Sequence, residues 1–446
     1  MKSSLSPQLA FAYVLLAVLT LAMGYAIDRT QTALLLPAFV LMIAGSLMVM
    51  RNTAEKDISL PYYWGIFMRL MLLFSFPALS DDIYRFIWDG RLLLNFTDPY
   101  KQLPIDYVQM GLDGLDQSLY DKLNSKEYFS VYPPLNQVFF FLSVLFSPNS
   151  VFWSAVVLRA MIIVFELGNI HLIRKLLRHY KLPEKYGLLY ALNPLVILEL
   201  TGNLHFEAIV IFFLLLALWY YEQDKLHHSA IYFGLSVATK FLPLVFLPLL
   251  LRKIGFKKTM IYGLVVAGIL AVSFLPLINT AHIWAIGKSM ELYFQKFEFN
   301  ASIYYLARWY GFETVGHNII AQSGKWMMYA TLGSIWLYAL VGKKKRLPEM
   351  MMWVWTLYLL FATTVHPWYI IPLLALSVFS MKQFPYLWTL LVFFTYANYQ
   401  AGGYFERLEV VIAEYVIVAL VALYEAFGKS IRERFFLNKA SPDFEE

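Results

Sequence analysis

Cysteine is absent from the 446 residues, and with it go disulfides, thiolate nucleophiles, iron–sulfur clusters and cysteine-type zinc sites. Charge is scarce too: Asp, Glu, Lys and Arg make up 15% of the chain, against roughly 25% in an ordinary soluble domain. No H-E-x-x-H, P-loop, G-x-G-x-x-G or G-x-S-x-G run stands at a plausible place, so ATP-driven and serine-hydrolase chemistry lose their usual support. No internal repeat or low-complexity segment divides the chain. Length alone would suggest about three soluble domains of roughly 150 residues. Composition overrules that, because 60% of the residues are hydrophobic.

These apolar residues gather into long stretches that recur from end to end. Candidate spans are 9–27, 32–50, 62–79, 135–146, 151–173, 186–200, 206–221, 231–251, 260–278, 326–341, 350–364, 368–381, 384–398 and 410–427. A hydrocarbon core of about 30 Å needs about 20 helical residues. The chain is therefore expected to be all-α, a polytopic integral membrane protein of about 12–14 transmembrane helices forming one domain over residues 1–446. Soluble enzymes, nucleic-acid readers and disordered scaffolds are excluded. The first stretch is long for a signal peptide and lacks a clear small-x-small cleavage site, so it reads as a retained helix.

The net charge of +6 follows the positive-inside bias. Basic runs at 252–258 (RKIGFKK), 342–346 (GKKKR) and from Lys429 onward read as cytoplasmic. Counting passes then puts two long connections, 80–134 and 279–325, on the extracytoplasmic side. The first holds five Lys or Arg against nine Asp or Glu. The basic stretch 174–185 fits the cytoplasm only if 135–146 re-enters without crossing and the chain folds back near Lys240. Irregular backbone at membrane depth survives only when buried in protein or lining a cavity, so such breaks point toward a site. Apolar stripes predict surface-lying amphipathic helices over 82–95 and 282–297.

The most informative run is Ser80-Asp81-Asp82-Ile83-Tyr84-Arg85-Phe86-Ile87-Trp88-Asp89-Gly90-Arg91, ending at Asp98-Pro99-Tyr100. Two carboxylates at a membrane boundary serve either as a helix cap or as a general base that meets a lipid-linked substrate. Asp81, Arg85 and Trp88 share a helical face, with Asp82 and Asp89 close to it; a merely solvated face has the same look. Tyr132-Pro133-Pro134 suits a helix start, and Tyr132, Asn136 and Gln137 have the chemistry to face a sugar. Within apolar spans, Arg159 and Glu166 lie two turns apart, as an internal charge pair or as ligand contacts. Asn203, His205 and Glu207 meet at a helix junction. Lys240 interrupts an apolar stretch with no acidic neighbour in sequence, which suits a phosphate. Asn300, Tyr304, His366, Trp368 and Tyr369 belong to the outer side, where Trp and Tyr are common in any case. Asn95 and Asn300 begin glycosylation sequons of a kind common by chance.

The ordered set Asp82-Ile83-Tyr84-Arg85-Phe86-Ile87-Trp88-Asp89-Gly90-Arg91, Asp98-Pro99-Tyr100, Tyr132-Pro133-Pro134, Asn193-Pro194, Gly202-Asn203 with His205, Thr239-Lys240 and His366-Pro367-Trp368-Tyr369 resembles the GT-C superfamily of membrane glycosyltransferases. Within it, the chain is similar to the bacterial polyprenyl-phosphate-mannose-dependent mannosyltransferase branch. The resemblance implies inverting transfer of a hexose, mannose first, from a polyprenyl-phosphate sugar to a glycan or glycolipid on the extracytoplasmic face of a bacterial inner membrane. Asp81 would be the general base. Asp82 would assist it or join it in holding a divalent ion, Mg or Mn. Lys240, with Arg85 and Arg159, would hold the donor phosphate, because a departing phosphate gains charge in a dry site. Trp88, Asp89, Arg91, Tyr100, Tyr132, Asn136, Asn203, His205, Glu207, Asn300, Tyr304, His366, Trp368 and Tyr369 would form the substrate-binding set. A transporter or flippase for lipid-linked sugars is the competing class. It predicts paired repeats and midplane polar groups, whereas the acids here cluster in an outer loop. A non-catalytic scaffold leaves Asp81, Asp82 and Lys240 unexplained.

Overall fold

A computed structural model describes residues 6–275, 297–343, 345–400 and 403–427. Helices dominate, and the β-structure among the described residues comprises one two-residue hairpin, Tyr399–Gln400 with Gly403–Tyr404, and an isolated bridge between Phe299 and Thr364. Among the described residues, four helices are long and apolar enough to cross a bilayer alone: α1 (Pro7–Tyr25), α2 (Thr32–Asn52), and the helices Val151–His179 and Phe256–Phe274, called α8 and α13 below. A pair of helices bent by 109°, Val196–Gly202 and Glu207–Glu222, has the length and apolarity of a broken span or a re-entrant loop. Exposed aliphatic and aromatic residues stud α1 and α13, among them Phe11, Val14, Val18, Leu264 and Val272. Surfaces this apolar need lipid to cover them. The chain is an all-α polytopic membrane protein.

Local chemistry sets the helix ends. Ser6 accepts a hydrogen bond from the Leu9 amide at 3.3 Å and Pro7 opens α1; Ser150 accepts from Trp153 at 3.2 Å to start α8. Between α2 and α8 run α3 (Ser59–Met71), α4 (Asp82–Leu94), the short α5 (Pro104–Gln109) and α6 (Gln117–Asp121), and α7 (Pro134–Leu145). At 1.5 Å per residue, the 12 residues of α7 reach about 18 Å, well short of a crossing. α7 packs instead on α4, where a Cβ added to Gly90 would sit 2.5 Å from the Phe140 carbonyl oxygen. The 29 residues of α8 then carry the chain through the bundle.

α9 (Leu188–Ala191) precedes the bent pair, whose second member is α10 (Glu207–Glu222). The turn after α10 reverses the chain into α11 (Leu226–Thr239). There Glu222 accepts from Tyr180 at 2.9 Å and lies 3.4 Å from His179 at the end of α8. At the other end of α11, Lys240 pairs with Glu207 at the start of α10. The chain turns back through the 3₁₀ segment Leu242–Phe246 into α12 (Leu247–Ile254), followed by α13. Arg252 and Lys253 donate to the carbonyls of Gly342 and Lys345, and the Arg346 guanidinium lies 5.4 Å from the Tyr180 ring. Thus three basic stretches gather at one end of the bundle. The remaining α-helices among the described residues are α14 (Ile303–Val315), α15 (Ile320–Val341), α16 (Leu347–Phe361), α17 (Ile370–Ser377), α18 (Phe384–Val392) and α19 (Leu408–Phe427).

Two sequence expectations change here. α4 does not lie on a surface with a wet polar face: Ile83, Phe86 and Ile87 are buried, and so are Arg85, Asp89 and Arg91. Glu166 does not pair with Arg159. It binds Arg69 of α3 at 2.9 Å, both side chains being fully buried, and accepts from Tyr190 at 2.6 Å and Asn169 at 2.7 Å. The helix expected over 282–297 lies outside the described residues apart from Phe297.

Candidate active site

The site begins with a broken helix. Val196–Gly202 is wound as a π-helix, a form frequent at functional sites. Beyond Asn203, Leu204 takes a positive φ of 67°, a conformation that a residue with a Cβ adopts rarely. This break turns Glu199, Asn203, His205 and Glu207 toward one region. Asn203 fastens the break to the chain before α4, accepting from the Leu79 amide at 3.1 Å and donating to Glu199 at 3.3 Å. Arg159 of α8 holds it from behind, donating to the carbonyls of Thr201 (2.8 Å), Gly202 (3.0 Å), Leu73 (3.2 Å) and Ser75. These are the carbonyls that helix ends leave unpaired. Arg159 is fully buried and makes four hydrogen bonds to backbone carbonyls, so it is a structural staple and not the expected phosphate ligand.

In front of the break lies a cavity of about 350 Å³. One wall comes from the first long loop and contains Asp82, Tyr100, Tyr132 and Asn136. The break supplies His205 and Glu207, α11 supplies Lys240, and the 366–369 turn supplies His366, Trp368 and Tyr369. Apolar side chains, among them Leu244, Phe274, Met328 and Leu332, complete the lining. Ten of the residues expected from sequence therefore meet around one space.

Within it, Lys240 pairs with Glu207 and lies 4.2 Å from the centre of the Tyr369 ring. The acidic neighbour that sequence proximity did not reveal arrives through the α10–α11 hairpin. The Trp368 indole is stacked between two imidazoles, His205 at 3.6 Å and His366 at 4.4 Å. Burial, reinforced by the positive charge of Lys240 and by His205, pushes His366 down to about 3, so its ring is neutral at physiological pH. Asn136 is 3% exposed and its Oδ1 lacks a hydrogen-bond partner while lining the cavity. A buried unsatisfied amide oxygen in a cavity wall is suited to a ligand hydroxyl.

The two adjacent carboxylates part company. Asp82 faces the cavity, accepts from Asn124 at 2.7 Å and has Oδ2 at 4.0 Å from His205 Nδ1. Asp81 precedes α4 without capping it by a side-chain hydrogen bond, and forms an ion pair with Arg29, from the α1–α2 connection. Arg29 in turn lies 5.0 Å from the Tyr399 ring. As metal ligands the pair is a poor donor set, since Arg29 already neutralises one carboxylate. Among the described residues no three His, Asp or Glu converge as such a site.

Other expected residues serve the scaffold. Arg85 bonds Asp89 at 2.8 Å and the carbonyls of Ser125 and Tyr128 at 3.1 and 2.9 Å, while Asp89 accepts from Ser130 and from Gln137 at 3.0 Å. This network pins the loop 125–130 to α4. Arg91 donates to the Gly114 carbonyl at 2.6 Å, and Trp88 is fully buried in the core. Asn300 and Tyr304 belong to a separate cluster. Asn300 meets Glu414 at 3.2 Å and Glu406 at 2.7 Å, and Tyr304 donates to Asn318 at 3.0 Å and to Glu298. Sequence reasoning missed Arg29 and Glu199. Glu199, the single acid in the apolar run 186–200, carries the same signal that drew attention to Glu166.

Residues 8–254 match the family model described as "Alpha-(1->6)-mannopyranosyltransferase, N-terminal domain". The chain belongs to this family. It is a membrane mannosyltransferase by membership, and the matched region holds Asp82, Asn136, His205, Glu207 and Lys240, whereas the 366–369 turn lies beyond it. No curated protein matches the chain.

Proposed function

We propose that this mannosyltransferase moves mannose from a polyprenyl-phosphate donor to a hydroxyl of an extracytoplasmic glycan or glycolipid, with inversion at the anomeric carbon. The observation that carries this reading is the shared cavity: a carboxylate, Asp82, a cation, Lys240, and a set of apolar side chains line one space. A lipid-linked sugar phosphate has the same three parts. Its prenyl chain suits Phe274, Met328 and Leu332, and its phosphate suits Lys240. An α-linked product made with inversion requires a β-linked donor.

In the reaction Asp82 accepts the proton of the acceptor hydroxyl as its oxygen attacks the anomeric carbon. The bond to the phosphate oxygen breaks on the opposite face, and its electron pair leaves with the lipid phosphate. Lys240 stabilises that growing charge in a site with little water. The sequence reading put the base at Asp81 with Asp82 assisting. The Arg29 ion pair, and the position of Asp82 on the cavity wall, favour exchanging those roles. Because the basic end of the bundle is opposite the cavity, the positive-inside bias supports an extracytoplasmic site.

The test is transfer in proteoliposomes carrying polyprenyl-phosphate-mannose and candidate acceptors, read by mass spectrometry. Loss of activity in Asp82→Asn with substantial activity in Asp81→Asn supports the assignment. The reverse pattern returns the base to Asp81. Movement of the donor lipid across the bilayer without a glycosidic product overturns the enzyme reading in favour of a flippase.

A further inference from the structure

Behind the proposed base stands a second, wholly buried carboxylate that the transfer reaction as described does not use. Glu199 accepts from the Tyr396 hydroxyl at 2.6 Å and from Asn203 at 3.3 Å, with no exposure to solvent. Among the described residues, the titratable cation within ion-pair distance of it is His205, whose Nε2 lies 3.3 Å from Glu199 Oε2. That nitrogen is itself buried and makes no hydrogen bond, because the contact is close but off line. The other ring nitrogen faces Asp82 at 4.0 Å. His205 therefore bridges a cavity-facing carboxylate and a sealed one. Its ring plane is held by the Trp368 stack at 3.6 Å and 17°.

Burying a carboxylate beside a histidine that it does not properly bond is costly unless the arrangement serves something. Anchoring Tyr396 alone would need only a neutral acceptor. We infer that His205 and Glu199 form a proton relay behind Asp82, with Glu199 as the terminal proton acceptor during transfer. The inference rests on the assignment of Asp82 as base. The acceptor proton goes to Asp82 as the new glycosidic bond forms and the phosphate leaves with its electron pair. Once bound substrate draws the 4.0 Å and 3.3 Å contacts into hydrogen bonds, Asp82 passes that proton to His205 Nδ1, and the Nε2 proton moves to Glu199. The ring resets when Nδ1 releases its proton to water in the emptied cavity and Glu199 returns its own to Nε2. No net change remains on the protein. His205 and Glu199 act through Asp82 and are positioning residues.

The experiment is steady-state transfer by the full-length protein in proteoliposomes, comparing Glu199→Gln, His205→Gln and the double variant. Gln keeps the volume of Glu199 and an acceptor for Tyr396. The relay predicts that each single change lowers kcat about tenfold, leaves the donor KM within about twofold, and that the double variant is no slower than either single one. A Glu199→Gln enzyme with full kcat, or single effects that multiply, overturns it. If Glu199→Gln does not fold, His205→Ala with added imidazole decides. Restored turnover with imidazole but not with pyrrole supports the relay, and no restoration refutes it. An active Asp82→Asn enzyme refutes the base assignment, whereas an inactive one beside a fully active Glu199→Gln refutes the relay alone.

Discussion

Asp81 and Asp82 are chemically identical neighbours, yet one is paired with Arg29 and the other lines the cavity. The ion pair engages the Asp81 carboxylate, whereas Asp82 lies on the cavity wall within reach of a bound acceptor. Replacing Asp82 with Asn should therefore lower kcat by about 10²–10⁴-fold, measured as initial transfer rate at saturating donor. His366 carries a second prediction at this scale. Its folded pKa of about 3 lies below the ordinary histidine value of about 6.5, so below that ordinary value the unfolded chain binds the proton and the folded one does not. Its contribution to stability is complete above pH about 6.5 and declines as pH falls toward about 3. Thermal unfolding in detergent across that window should show a smaller acid sensitivity in His366→Gln than in the parent.

At the scale of elements, two contacts decide whether the site exists. α4 and α7 approach so closely at Gly90 that Gly90→Ala forces the new methyl against the Phe140 carbonyl, 2.5 Å away. Such overpacking costs about 1–3 kcal/mol and moves the wall carrying Asp82, so both unfolding temperature and transfer rate should fall. The buried Arg69–Glu166 pair ties α3 to α8. Glu166→Leu alone should destabilise by about 3–5 kcal/mol, while Arg69→Met with Glu166→Leu should recover much of the loss, because an uncompensated buried charge is the main cost. Denaturant titration followed by tryptophan fluorescence distinguishes the two. Helices were legible in the sequence because apolar runs and caps are local signals, and the break at 202–206 announced itself by its polar residues. Partnerships were not legible. Glu166 goes to Arg69 and Lys240 to Glu207 through contacts between helices. Arg85, Asp89 and Arg91 looked like a site face, but the loop that consumes their donors and acceptors returns from residues 114–130.

For the whole molecule, the cysteine-free sequence turns from an exclusion into an opportunity. Single cysteines can be introduced without removing any native thiol. Gathering of the 174–185, 252–258 and 342–346 stretches at one end, with the cavity at the other, predicts opposite labelling at the two ends. In intact cells a membrane-impermeant maleimide should modify Lys101→Cys in the first long loop. It should reach Lys181→Cys only after the cells are opened. The reverse pattern would put the cavity on the cytoplasmic side. The proposed reaction requires a lipid-linked sugar phosphate to enter from the bilayer and an acceptor from the outer water. The most direct measurement offers purified protein in liposomes radiolabelled polyprenyl-phosphate-mannose, and follows mannose into acceptor for the parent chain and for Asp82→Asn. The account predicts an α-linked mannosyl product and free polyprenyl phosphate from the parent and almost none from the variant; an equally active variant, or a parent that uses only a nucleotide sugar, would contradict it.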